Sequence, residues 1–325
     1  MKMKTLILTS QDVKKVIKME QVIEAMEECF REHGLGKTIM PAKVYINLPQ
    51  YAGDFRAMPS YIKDVAGVKW VNVHLNNREK NLPTVMAVYI YSDPTTGFPL
   101  AIMDGTLITS YRTGAGAAVA SKYLARGDSK TLGLVGCGVQ AYTQLLAISK
   151  LFQLEEVKIY DISSKAMDEF AERNKDFNIS KTSLKNAVAC DIVSTTTPSR
   201  SPIVKRAWIK KGTHINAIGA DAPGKEELDP KILLDAKVVV DDYEQAWHSG
   251  EINVPASKKI LTRKDIYASL GEIVAGIKKG RIGKEITVFD STGLAIQDAV
   301  TARTIYTAAK QMNLGMEVDL IGEGT

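Results

Sequence analysis

The sequence predicts a mixed α/β chain in two parts, and three observations carry the expectation. Residues 131–161 read as strand, glycine turn, helix, strand and acid. From there to about residue 290, short apolar runs alternate with helical patterns, which indicates a doubly wound parallel sheet. Between residues 43 and 103 strand-like runs follow one another across turns with no helix between them, which indicates antiparallel sheet. The expected fold is a Rossmann-type parallel sheet joined to an antiparallel α+β domain that is discontinuous in sequence.

Taken in order, Thr5–Leu8 is a first strand, and Thr9, Ser10, Gln11 and Asp12 supply a helix cap. One amphipathic helix is expected through Val13, Ile17, Val22, Met26 and Phe30, ended by Gly34 and Gly36. Strand-like runs follow at 43–48, 54–58, 67–73, 84–91 and 98–104, the last two separated by the turn Asp93-Pro94-Thr95-Thr96-Gly97. Residues 106–126, rich in Ala and Gly, read as a helix of small residues. The opening strand–helix–strand unit comes next, then a helix at 164–174 and strands at 190–195, 214–218, 237–240 and 286–289. The parallel sheet has no need of the closing helix, 294–311, which is expected to return to the first domain. The predicted domains are therefore 1–112 with 294–325, for substrate binding and dimerisation, and 113–293, for a dinucleotide.

Composition excludes several classes. In 325 residues, 42 basic and 37 acidic side chains are well mixed and give a net charge of +5, too mild and dispersed for a nucleic-acid partner. Cys29, Cys137 and Cys190 lack metal-ligand spacing and read as reduced, buried thiols; no metal is expected. No run approaches the ~20 apolar residues of a membrane span, and the N-terminus lacks a signal-peptide pattern. The expected compartment is the cytoplasm.

The chemistry starts at Gly136-Cys137-Gly138-Val139-Gln140-Ala141. Gly136 permits a tight turn, Gly138 lets the backbone approach a pyrophosphate, and Ala141 allows close helix–strand packing. The helix that opens at Val139 and Gln140 presents N–H groups to phosphate. Asp161 ends the second strand, where a carboxylate can accept hydrogen bonds from a ribose. The hydroxyl of Thr196 follows a later strand and borders the same crevice, or is an ordinary turn residue. Gly219, Ala220 and Asp221 follow another strand, and Asp221 is either a site acid or a cap. Lys69, inside an apolar strand, reads on its own as an edge or snorkelling residue; the alternative is a desolvated ammonium of lowered pKa. Arg56 and Arg112 suit a carboxylate or phosphate, and equally a surface. His214 and His248 read as structural. Motifs of zinc proteases and serine hydrolases are absent.

Six ordered segments then coincide with one family: Arg56-Ala-Met-Pro, Val68-Lys-Trp-Val-Asn, Ser110-Tyr-Arg-Thr-Gly, the Gly136 segment, Ile218-Gly-Ala-Asp-Ala-Pro-Gly-Lys-Glu-Glu-Leu-Asp, and Asp290-Ser-Thr-Gly-Leu-Ala-Ile-Gln-Asp. The chain resembles the ornithine cyclodeaminase/mu-crystallin family over essentially its full length, and within it the archaeal-type alanine dehydrogenases. The resemblance implies a homodimer whose antiparallel domains join in a shared barrel, with the active site between the two kinds of domain. It implies that Lys69 and Asp221 are catalytic, that Arg112 approaches the cofactor phosphates or the substrate carboxylate, and that Ser291 and Thr292 lie beside the nicotinamide. Lys43 falls near a basic family position that can help hold a carboxylate.

Where ornithine cyclodeaminases carry an acid, this chain has Arg56, which favours a small amino acid or 2-oxo acid over a diamino acid. The expected reaction is NAD-dependent interconversion of L-alanine and pyruvate plus ammonia. NAD is expected rather than NADP because Asp161 would face the extra phosphate, a preference that Ser163, Ser164 and Lys165 could soften. A cyclodeaminase with recycled NAD, a ketimine reductase and a non-catalytic NAD(P)H-binding protein are the alternatives.

Overall fold

The computed structural model describes residues 3–322. The chain divides into two compact units, Met1–Arg112 with Leu294–Thr325, and Thr113–Gly293. The boundary falls inside the helix Gly105–Leu124.

In the discontinuous unit the strands lie, among the described residues, in the order Met316–Val318, Thr5–Leu8, Pro99–Asp104, Val85–Ser92, Val65–His74, Gly53–Ile62, Thr38–Ile39, with Val44–Leu48 also on Gly53–Ile62. All pairs are antiparallel except Thr5–Leu8 with Pro99–Asp104. That exception to the expected pattern arises because the chain leaves the first strand through helices, and a crossover of this length lets a later strand return in the same direction. The C-terminal segment closes the unit. Helix Ala295–Gln311 packs on helix Met19–Gly34 and on strands Gly53–Ile62 and Val65–His74.

The single N-terminal helix expected from the sequence is two helices, Ser10–Val16 and Met19–Gly34. The first has the anticipated cap: Thr9 and Asp12 exchange backbone-to-side-chain hydrogen bonds at 3.0 and 3.3 Å. The chain then breaks at Ile17 and Lys18, both extended. The reason is phase. At about 100° per residue, Val22 would lie about 180° around the axis from Val13, so one straight helix could not bury both. The break re-aims the second helix, and Val13, Val22, Met26 and Phe30 are all buried.

In Thr113–Gly293 the sheet is wholly parallel, in the order Ile179–Lys181, Glu156–Tyr160, Thr131–Val135, Ile192–Thr195, His214–Ala217, Ile286–Asp290, Ala236–Val240, Ile266–Ser269. From Thr131–Val135 the next two strands in sequence, Glu156–Tyr160 and Ile179–Lys181, run outward on one side, and Ile192–Thr195 and His214–Ala217 lie on the other. This reversal is the switch point at which doubly wound sheets bind ligands. A small parallel pair, Arg200–Val204 with Glu226–Leu228, lies apart from the main sheet. Among the described residues no helix is long and apolar enough to cross a membrane.

Candidate functional site

Strand register sets the positions of the candidate residues of the parallel unit. Tyr160, Val135, Thr195, Ala217, Asp290, Val240 and Ser269 form one continuous row across the sheet. Each strand ends at or beside this row, so Gly136, Asp161, Thr196, Gly219 to Asp221, Ser291 and Thr292 all emerge from the same carboxyl edge.

Gly136 has φ +94°, and a Cβ there would stand 2.9 Å from Thr196 Oγ1. Its N–H donates to Tyr160 O at 2.8 Å, and Thr196 Oγ1 donates back to Val135 O at 3.2 Å. Thr196 thus braces the glycine turn. Gly138 is different: a Cβ there would meet nothing within 4 Å. The space beside Gly138 is open to close approach by a ligand. Gly138 also caps helix Val139–Ile148 without a side-chain hydrogen bond, and in its first turn Gln140 Oε1 is buried with no partner. These features fit a bound pyrophosphate. Asp161 is tied to the turn, accepting from the Cys137 N–H at 2.8 Å and the Ser163 N–H at 2.9 Å.

Buried carboxylates that sequence reasoning overlooked shape the neighbouring loops. Glu227 accepts from Thr195 Oγ1, the Thr197 N–H, Thr197 Oγ1 and the Gly219 N–H at 2.7 to 2.9 Å. Gly219 must lack a side chain, because a Cβ would fall 2.1 Å from Thr197 O and 2.6 Å from Glu227 Cδ. Glu251 in turn accepts from the Glu227 and Leu228 N–H groups, and Asp290 from those of Glu251 and Ile252. Asp241 accepts from the Thr292 and Gly293 N–H groups at 2.6 and 2.8 Å, fixing the Ser291–Thr292 segment. Burial raises Glu227 and Glu251, and it pushes Asp290 up to about 8, with the charge of Asp241 adding to the effect. Ala220 is buried, and Asp221 is partly exposed and paired with Lys225 Nζ at 2.5 Å. Lys225 is a partner the sequence did not single out.

In the discontinuous unit, Lys69 occupies the inner face of the sheet, in register with Met58 on one side and Tyr89 and then Met103 on the other. It is 1% exposed. Its Nζ lies 2.7 Å from Asp298 Oδ2, while Arg112 Nε reaches Asp298 Oδ1 at 3.2 Å and Arg112 Nη1 reaches Gln297 Oε1 at 3.0 Å. Lys69 is lowered from 10.5 to about 7, chiefly by burial, with Arg112 and Lys43 adding to the effect and the Asp298 carboxylate opposing it. The snorkelling alternative is thereby removed, since the nitrogen does not reach water. Asp298 ends the Asp290 segment already singled out, and an acid among the small and apolar residues of a helix was the available signal.

Arg56 is also buried, but it is not a lone cation. Its Nε and Nη2 donate to Asp54 Oδ1 and Oδ2 at 2.7 and 3.1 Å, and its guanidinium lies over the Tyr45 ring. An acid therefore stands beside the arginine that was expected to replace one, which weakens the charge argument built on Arg56 alone.

His214 and the cysteines are buried or half-buried and stand outside the proposed chemistry. His214 is buried between Thr287 Oγ1 and Asn216 Oδ1, and burial drives it down to about 3. All three cysteines are free, and burial raises each thiol, Cys137 to about 12 and Cys190 to about 11.

Comparison with known proteins agrees with this geometry. Residues 3–313 match the model of the ornithine cyclodeaminase/mu-crystallin family. An alanine dehydrogenase of Archaeoglobus fulgidus is 51% identical over 319 residues, covering 97% of this chain and 98% of its own. Among solved structures, an archaeal alanine dehydrogenase dimer with bound NAD matches with a TM-score of 0.96 at 51% identity, over 98% of this chain and 100% of that one. The Δ1-pyrroline-2-carboxylate reductase of Thermococcus litoralis, solved with NADH and L-proline, matches with a TM-score of 0.94 at 41% identity, over 97% and 100%. With the six motifs in order and both folds in place over the whole length, this chain belongs to the ornithine cyclodeaminase/mu-crystallin family.

Proposed function

We propose that this protein is an NAD-dependent alanine dehydrogenase, converting L-alanine, water and NAD to pyruvate, ammonia and NADH, and the reverse. The observation that carries the reading is Lys69, a fully buried lysine with its pKa lowered to about 7. An ordinary lysine, near 10.4, is almost wholly protonated at neutral pH and cannot act as a base. Lys69 is close to half neutral there, which suits a group that must both take and return a proton.

When bound, NAD supplies the oxidant, accepting a hydride from the α-carbon. Gly136, Gly138 and the first turn at Val139 and Gln140 would hold its pyrophosphate, and Asp161 a ribose. Thr196, Gly219 and Ala220 border it, with Ser291 and Thr292 toward the nicotinamide. The charge of Asp161 favours NAD over NADP. Lys43, Arg56 and Arg112 attract the substrate carboxylate. Lys69 takes the proton of the water that adds to the substrate's imine carbon. Lys69 and Asp221 then pass protons to the departing amine, so that ammonia leaves and the carbonyl forms.

We read the protein as a homodimer. Supporting this, the outer face of the antiparallel sheet carries a row of exposed apolar side chains, Val44, Trp70 and Val88, of a kind that marks an association surface.

The test is NADH formation followed at 340 nm with alanine, ornithine and other small amino acids. Alanine should reduce NAD. Conversion of ornithine without NADH, and no reaction of alanine, would make the protein a cyclodeaminase. The likeness to the Thermococcus reductase favours one second reading, a cyclic-imine reductase, which reduction of Δ1-pyrroline-2-carboxylate without activity on pyruvate and ammonia would establish. Lys69→Ala and Asp221→Asn should each lose at least about 100-fold in kcat with NADH binding nearly intact; full turnover in both would overturn the residue roles.

A further inference from the structure

We propose that Asp298 is the positioning residue of Lys69: its carboxylate fixes the lysine nitrogen on the inner face of the sheet and sets how readily that nitrogen gives up and recovers a proton in turnover. The inference rests on the proposed role of Lys69 and deepens it.

The sheet alone does not hold Lys69 in place. Its register neighbours, Met58, Tyr89 and Met103, are buried, and none carries a charge to offset an ammonium. The facing charges come from other elements. Arg112 belongs to helix Gly105–Leu124, Lys43 precedes strand Val44–Leu48, and Arg56 with its partner Asp54 lies on the adjacent strand. Of the two carboxylates, Asp298 is the one in ion-pair contact with Lys69, at 2.7 Å.

Asp298 is itself firmly held. It is wholly buried in the first turn of helix Ala295–Gln311, where the helix dipole favours a negative charge. Its Oδ1 is fixed by Arg112, and Gln297 steadies the same arginine while accepting the Leu294 N–H at 3.0 Å. Oδ2 faces the Lys69 nitrogen at 2.7 Å, a contact that favours the protonated lysine. One oxygen anchors the carboxylate and the other faces the lysine.

The consequence has a definite sign. The anion favours the protonated lysine, whereas burial, Arg112 and Lys43 disfavour it. Asp298→Asn removes the anion and leaves Arg112 without its ionic partner, and both changes lower the Lys69 pKa further. Oxidation of alanine needs the neutral amine. The acid limb of kcat/KM should therefore move to lower pH, by about 1–3 units. A merely structural loss would lower activity at every pH and leave the limb where it was.

The experiment measures pH profiles of kcat/KM for alanine oxidation in the full-length enzyme and in Asp298→Asn, Asp298→Glu and Lys69→Ala, with NADH titration as the check of folding. The expected result is an inactive Lys69→Ala, an acid-shifted limb in Asp298→Asn, and an Asp298→Glu that keeps the limb within about half a unit but loses about tenfold or more in kcat, its charge retained and its reach changed. If Lys69→Ala keeps the normal profile, the role of Lys69 falls and this proposal with it. If Lys69→Ala is inactive while Asp298→Asn keeps the limb in place, the proposal alone is overturned. Should Asp298→Asn fail to fold, Asp298→Ser, which also removes the anion, takes its place: an acid-shifted limb supports the positioning role, and an unmoved limb overturns it.

Discussion

Glu227→Gln asks whether a single buried carboxylate holds the cofactor loops in shape. Glu227 is fully buried. Its Oε1 accepts the Thr197 N–H and Oγ1, each at 2.7 Å, and its Oε2 accepts Thr195 Oγ1 at 2.7 Å and the Gly219 N–H at 2.9 Å. Glutamine keeps the shape but turns one oxygen into an NH2 group. The threonine hydroxyls can rotate to accept from that group. A backbone N–H cannot, so whichever way the amide is turned, either Thr197 or Gly219 is left with a buried donor facing another donor. One such unsatisfied donor costs about 1–3 kcal/mol. The same bonds set the ends of two strands beside the switch point, so NADH affinity should fall by about 5-fold to about 150-fold if the whole cost reaches the binding geometry. Urea unfolding and NADH fluorescence titration measure the two quantities. Stability and affinity both unchanged within error would show that Glu227 does not organise these loops.

Two further predictions follow from other carboxylates. Asp161→Ser removes the charge that would face a 2′-phosphate, an interaction on the order of 4 kcal/mol at 4 Å and an effective dielectric of 20 before screening. The ratio of NADPH to NADH affinity should rise by at least about tenfold, and an unchanged ratio would assign the preference elsewhere. Asp290, pushed up from 3.8 to about 8, holds a proton in the native protein that the unfolded chain has already released, so its contribution to stability declines as pH rises through that window and levels off above about 8. Between pH 6.5 and 8 the wild type should lose about 1.6 kcal/mol relative to Asp290→Asn. Urea denaturation of both proteins at the two pH values measures this difference, in which groups not coupled to Asp290 cancel; a difference that stays constant or changes in the opposite sense would contradict the assignment.

Much of the fold could be read locally. The strand–turn–helix–strand unit at 131–161, the succession of antiparallel strands and the Thr9–Asp12 cap all depend on residues close in sequence. The break at Ile17 was equally legible, since the apolar face changes phase between Val13 and Val22, but reading the apolar residues as one stripe concealed it. The strands Thr38–Ile39, Ile179–Lys181 and Met316–Val318 were harder to foresee. Each is two or three residues long, too short for periodicity, and exists because a neighbouring edge was there to pair with.

The sequence by itself determined the glycine turn, the acid that ends its second strand and the order of the motifs, because these are properties of turn geometry, spacing and side-chain type. Only the tertiary structure decided what the charged residues are. The pairs Arg56–Asp54 and Asp221–Lys225 join residues two and four positions apart, whereas Arg112 meets Asp298 across 186 positions of chain. The basicity of Lys69 belongs to the same class. It depends on how much water is excluded and which charges face the nitrogen, and neither is fixed until strand Val65–His74 and helix Ala295–Gln311 have packed together.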